Sequence, residues 1–183
     1  SKSVAKRSGP ASYWKIVTDD ATAAFGSAPR CVDNIRRVWS VLDDMFQQKN
    51  GPTIIAESLQ LCSAPRPGTD DLNRLKVYLQ MAFDTMAMGN FPFPSSYLAS
   101  GLAVLPAYPF RKACESLSSN FNEDDLGLLR AFGVAASVYN NATLNLQCYE
   151  LPEDVDYDGI WDYMWCTDTL CQETYFGRNG VDD

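Results

Sequence analysis

The chain has 183 residues, 23 acidic against 15 basic side chains, no histidine and a formal net charge of −8. Without imidazole no Ser-His-Asp or Cys-His arrangement can form, and no G-x-S-x-G elbow, Walker loop or G-x-G-x-x-G is present. The acidic balance opposes nucleic-acid binding, and no apolar run approaches the roughly 20 residues that a membrane span needs.

A hydrophobic fraction of 46% and an aromatic fraction of 12% suffice for one domain with a sizeable core. Lys2, Lys6 and Arg7 lie among small polar residues, so residues 1–10 read as a flexible leader. A short helix is predicted over 12–24. Val32, Ile35, Val38, Trp39, Leu42, Met45 and Phe46 then recur at helical spacing among Asp33, Asn34, Arg36, Arg37, Asp43 and Asp44. That pattern is an amphipathic helix of about four turns, stopped by Asn50-Gly51-Pro52. A short helix over 53–61 follows. Thr69-Asp70-Asp71 opens the next, capping free N–H groups and suiting the helix dipole. It turns Leu72, Leu75, Tyr78, Leu79, Ala82, Phe83 and Met86 inward and ends near Gly89. Met81, Met86 and Met88 read as core filler at this spacing.

Asn90-Phe91-Pro92-Phe93-Pro94 and Leu105-Pro106-Ala107-Tyr108-Pro109 make the next stretch extended and irregular, because proline fixes φ and removes donors. A short helix over 109–117 precedes a longer one after Asn122-Glu123-Asp124-Asp125, with Leu126, Leu129, Phe132, Val134 and Val138 as its apolar positions. No strong period-two run of β-branched residues appears. The fold class is mainly α.

The six cysteines are Cys31, Cys62, Cys114, Cys148, Cys166 and Cys171, none in a C-x-x-C motif, so a zinc ribbon fits poorly. Their even number, with the sequon Asn141-Ala142-Thr143, suits a secreted or lysosomal chain with disulfides and a glycan on Asn141. Reduced buried thiols in a cytosolic protein are the alternative, and spacing alone does not choose the pairs.

Asp154-Val155-Asp156-Tyr157-Asp158-Gly159 opens like a calcium loop, with alternating oxygen ligands and a glycine at the turn. Position twelve should be glutamate and is Trp165, which weakens Asp154, Asp156 and Asp158 as ligands; a solvated acidic loop is the plainer reading. The acidic run leads into Trp161-Asp162-Tyr163-Met164-Trp165, where a carboxylate beside aromatic walls suits a cationic ligand such as a peptide amine. The pairs Asp19-Asp20, Asp43-Asp44 and Asp70-Asp71 read as caps or surface, since adjacent aspartates diverge rather than face each other across a cleft.

An ordered set of segments carries a resemblance over about residues 11–183. They are Lys15-Ile16-Val17-Thr18-Asp19-Asp20, Cys31 with Ile35-Arg36-Arg37-Val38-Trp39, Leu59-Gln60-Leu61-Cys62 and Met86-Ala87-Met88. The two proline-aromatic segments, Cys114, Val138-Tyr139-Asn140-Asn141, Trp161-Asp162-Tyr163 with Cys166-Thr167-Asp168, and Asn179-Gly180-Val181-Asp182-Asp183 complete it. The chain resembles the helical cap, or SKS domain, of the proline-specific serine exopeptidases. The resemblance implies a disulfide-pinned helical bundle inserted in an α/β-hydrolase, which supplies a Ser-Asp-His triad from outside this chain. No catalytic residue is carried onto any position here, and no cofactor is implied.

It also implies the pairs Cys31–Cys114 and Cys62–Cys148, and leaves Cys166 and Cys171 open: paired together, free or rearranged. Trp161, Asp162, Tyr163, Asp168 and Leu170 resemble the stretch that approaches the substrate cleft. Asp162 there favours a protonated amine, inclining toward a dipeptidyl peptidase rather than a carboxypeptidase; an aspartate capping a local turn is the bland alternative. The expected partners are the parent's own hydrolase domain and peptides with proline near a terminus, with a dimer left open. Two other readings remain: a stand-alone secreted binding module that keeps the cap fold, and a calcium-binding helical protein. An apolar patch on the face that would meet the hydrolase favours the cap.

Overall fold

The computed structural model describes residues 12–99 and 101–151, and within them six helices follow one another with no strand. They are α1 (Ser12–Asp20), α2 (Cys31–Phe46), α3 (Gly51–Leu59), α4 (Asp71–Met88), α5 (Pro109–Ser116) and α6 (Asp125–Asn140). Single 3-10 turns occur at Ala23–Phe25 and Tyr97–Ala99. Residues 1–10, Asp154, Asp156 and Asp158, Trp161 to Leu170, and Cys166 and Cys171, for which the sequence carries expectations, lie outside the described residues.

The helix starts and stops follow local chemistry. α6 is capped by Asp124, whose carboxylate accepts from the Gly127 N–H at 2.7 Å. At α4 the Thr69 hydroxyl accepts from the Asp71 N–H at 3.2 Å. Gly51-Pro52 does more than stop α2, which already ends at Phe46. It forms the first turn of α3, where proline's missing N–H costs nothing. The predicted 12–24 helix divides into α1 and a separate 3-10 turn, and Gly26 (φ +89°) closes that turn in the left-handed region.

α6 is the central helix, with α2, α3, α4 and α5 packed around it. Fully buried Phe132 stacks on Phe83 at 5.0 Å and meets the edge of Trp39 at 5.5 Å, while Phe83 meets Phe110 at 5.8 Å. Where α6 crosses α3, Gly133 lets the backbones close: a Cβ there would stand 2.8 Å from the Ser58 carbonyl oxygen. Val38, Leu42, Met45, Leu75, Leu79, Ala82 and Met86 turn inward as the periodicity predicts.

Three assignments are corrected. Asn34 is not a surface residue of α2: it is buried, and its Nδ2 donates to the carbonyls of Leu117 (2.7 Å) and Ser119 (3.0 Å), tying α2 to the segment after α5. On α6, Val134 faces solvent and Leu128 takes the inward position. Of the three methionines on α4, only Met86 is core.

Both implied disulfides are formed. Cys31–Cys114 joins the start of α2 to α5, and Cys62–Cys148 joins the end of α3 to the segment after α6. With separations of 83 and 86 residues, each contributes on the order of 4 kcal/mol by loop-closure reasoning. Beside the second bridge, Tyr149 donates its N–H to Gln60 and accepts from Cys62, both at 2.8 Å.

Candidate functional site

α4 is apolar on two opposite sides. At 100° per residue its core stripe (Leu75, Leu79, Ala82, Met86) is diametrically opposed by Val77, Met81 and Met88, which are 43%, 56% and 51% exposed. Asp84 shares this outer side with Val77, Met81 and Met88, and Asn73, Arg74, Lys76 and Gln80 occupy the rest of α4, so the outer face is three exposed apolar side chains around one carboxylate, a surface with interface character. The reading of Met81 and Met88 as core filler fails for this reason: their spacing is helical, but its phase points them away from the core.

The stripe runs into a loop of the same character. Between Asp84 and Arg111 no Asp, Glu, Lys or Arg occurs. The loop is closed at its base by the Tyr108 N–H to Phe91 carbonyl bond (2.7 Å) and by reciprocal bonds between Ser95 and Leu105 (3.0 and 2.9 Å). Leu105 is buried as the plug beneath it, and Phe91 and Phe93 stack at 5.5 Å. Phe93, Tyr97, Leu102 and Val104 remain exposed. Between this loop and the end of α6 runs an open groove of about 420 Å³, with Leu98, Leu102, Tyr139 and Leu146 among its walls.

Among the described residues, several carboxylates are taken up in ion pairs and hydrogen bonds. Asp19 pairs with Lys15, Asp43 with Lys76, and Asp20 accepts from the Asn90 amide at 3.1 Å. Asp71 is buried and accepts from both the backbone N–H and the guanidinium of Arg66, and from Arg74. Hydrogen bonds from the Arg66 side chain and backbone hold its carboxyl well below the ordinary range, against the opposing effect of burial. It clamps the 66–71 turn onto α4. Among the described residues no two carboxyls face each other across a cleft as an unpaired acid and base, and no His, Cys, Asp or Glu cluster fits a metal ion.

Of the sequence-predicted site residues, Asn141 falls within the described region. It follows the last residue of α6, and its amide accepts from the Leu146 N–H (3.1 Å) and donates to the Leu146 carbonyl (3.4 Å). The sequence reading missed Val77, Met81, Met88 and the loop tip as a surface. Two signals were present: an outward apolar stripe of helical period, and the uncharged run between Asp84 and Arg111.

A family profile described as Serine carboxypeptidase S28 matches residues 4–167. The chain is 30% identical over 174 residues to the lysosomal Pro-X carboxypeptidases of Pongo abelii and of Homo sapiens, covering 93% of this chain and 32% of each relative. It is 26% identical over 152 residues to the prolyl carboxy peptidase like protein 5 of Caenorhabditis elegans, covering 77% of this chain and 29% of that relative. The chain thus spans about a third of the length of the curated relatives it matches.

Proposed function

Because this chain belongs to the serine carboxypeptidase S28 family, we propose that it is the non-catalytic helical cap of a proline-specific serine exopeptidase. The cap sits over a triad supplied by an α/β-hydrolase domain of the same parent protein. It narrows the cleft so that only a chain terminus enters. The observation that carries this reading is the double-sided α4: the outer stripe of Val77, Met81 and Met88 has the character of an interface, and the hydrolase domain is the occupant.

The names of the mammalian relatives support a carboxypeptidase that acts on Pro-X bonds. Asp162 inclines the other way, toward a peptide amine, and its substitution separates the two. In the parent enzyme, Asp162→Asn leaves turnover of an N-blocked Pro-Xaa substrate unchanged under the carboxypeptidase reading. It lowers kcat/KM on a free-amine Xaa-Pro amide if the residue receives an amine. Trp161, Tyr163, Asp168 and Leu170 are proposed to line the same cleft. Passage through the secretory route to a lysosomal or extracellular destination agrees with the two disulfides and with the sequon at Asn141.

A serine-directed fluorophosphonate tests the division of labour. The parent protein is expected to be labelled on a serine outside residues 1–183. Labelling of a serine within this chain, or hydrolysis of a proline peptide by this chain alone, overturns the reading.

A further inference from the structure

The two disulfides differ in the property that decides which of them a thiol can attack. Cys31 and Cys114 are both 0% exposed, whereas Cys62 is exposed and Cys148 half-buried. Thiol–disulfide exchange needs a thiolate to reach one of the two sulfurs, so access ranks the bridges. The surroundings of the second bridge are open too: Ser63, Ala64 and residues 143–147 are exposed.

The exposed bridge is a tether. The hydrogen bonds of residues 142–148 run to Tyr139, to Asn141 and within the segment itself. Tyr149, next to the bridge, adds its two backbone bonds to Gln60 and Cys62 and a buried ring 6.4 Å from that of Tyr78. The Tyr149 hydroxyl is buried with no hydrogen-bond partner among the described residues, which weighs against that seat. The covalent bridge therefore carries much of the restraint on this segment. The sequence that follows bears Trp161, Asp162 and Tyr163, proposed above for the cleft.

We propose that Cys62–Cys148 is a redox switch of the cap, opened by an external dithiol while Cys31–Cys114 stays closed. A thiolate of the dithiol attacks the exposed Cys62 Sγ, a bond forms between those sulfurs, the Cys62–Cys148 bond breaks and Cys148 leaves as a thiolate. The second thiol of the reductant, deprotonated in turn, displaces Cys62. The dithiol is oxidised to its own disulfide, the bridge takes up the two electrons, and the two protons end on the cysteines. The buried bridge still joins α2 to α5, so the bundle stays folded while the tether to α3 is released. The effect on turnover rests on the cap reading above; the order of reduction does not.

The test uses the folded wild-type parent enzyme in dithiothreitol, sampled over time, quenched with iodoacetamide and mapped by peptide mass spectrometry. Turnover of a Pro-Xaa peptide is assayed at each point. Cys62 and Cys148 are expected to be alkylated about ten-fold faster than Cys31 and Cys114, or more. In step with that labelling, kcat/KM is expected to fall several-fold while the helical circular dichroism stays unchanged. Activity is expected to return when the dithiol is removed before quenching, and to stay low once the two thiols are alkylated.

Reduction of both bridges at one rate overturns the proposal, as does full activity with Cys62 and Cys148 alkylated, or a fall in activity that precedes their labelling. A parent protein that turns over no proline peptide before reduction counts against the cap reading instead, and the order of alkylation then decides the proposal alone.

Discussion

Asp71 shows how one side chain fixes a helix start. Its carboxylate is buried, accepts from the backbone and guanidinium of Arg66, and pairs with Arg74 one turn into α4. Asp71→Asn removes charge from each of these bonds while nearly keeping shape, and is expected to cost about 1–3 kcal/mol in a urea unfolding midpoint. The folded-state carboxyl is held below its ordinary value, so its stabilisation is complete above the unfolded pKa of about 3.9 and fades as pH falls below it. The gap between wild type and Asp71→Asn is therefore expected to be constant from pH 7 to 5 and to shrink below about pH 4. Asp70-Asp71 was legible as a helix start. The burial of Asp71 was not, because its partner Arg66 lies in a loop whose path no local pattern dictates.

Among the elements, α6 sets the packing and Gly133 sets how near α3 approaches it. A methyl group at 133 meets the Ser58 carbonyl at 2.8 Å and the Leu59 Cα at 3.3 Å, backbone atoms that cannot swing aside. Gly133→Ala is expected to lower stability by roughly 1–3 kcal/mol despite alanine's better helix propensity, read as a drop in Tm or urea midpoint. Periodicity located α2, α4, α5 and α6 within a few residues, since each buries one regular stripe. It misplaced Val134 and passed over Leu128: Leu128, Leu129, Phe132, Ala135 and Ala136 share one buried arc of α6, and Val134 lies on the opposite side. Periodicity groups Asn34 with the polar side of α2, but it is buried because its partners, the carbonyls of Leu117 and Ser119, come from a distant turn. The two formed disulfides followed from the family resemblance and not from spacing.

At the scale of the whole molecule, the apolar surface divides in two. The α4 stripe, Val77, Met81 and Met88, is assigned to the hydrolase domain, and the second part lines the groove between the loop and the end of α6. The segment chosen from sequence for the substrate cleft, Trp161 to Leu170, lies outside the described residues, so the site rests on a surface that the sequence signalled through the outward phase of Val77, Met81 and Met88 and through the uncharged run after Asp84. The uncharged run from 85 to 110 continues the exposed side chains of Val77, Met81 and Met88 past Asp84, and apolar surface of that extent suits a covered face.

Methionine oxidation in the intact parent enzyme tests this most directly, because α4 carries its own reference. Met86 is fully buried within the chain, whereas Met81 and Met88 are about half exposed unless a partner domain covers them. With dilute peroxide, followed by peptide mass spectrometry, Met81 and Met88 are expected to oxidise as slowly as Met86 in the folded enzyme, and all three at one faster rate after denaturation. Rapid oxidation of Met81 and Met88 in the folded, active enzyme, with Met86 protected, would contradict the account.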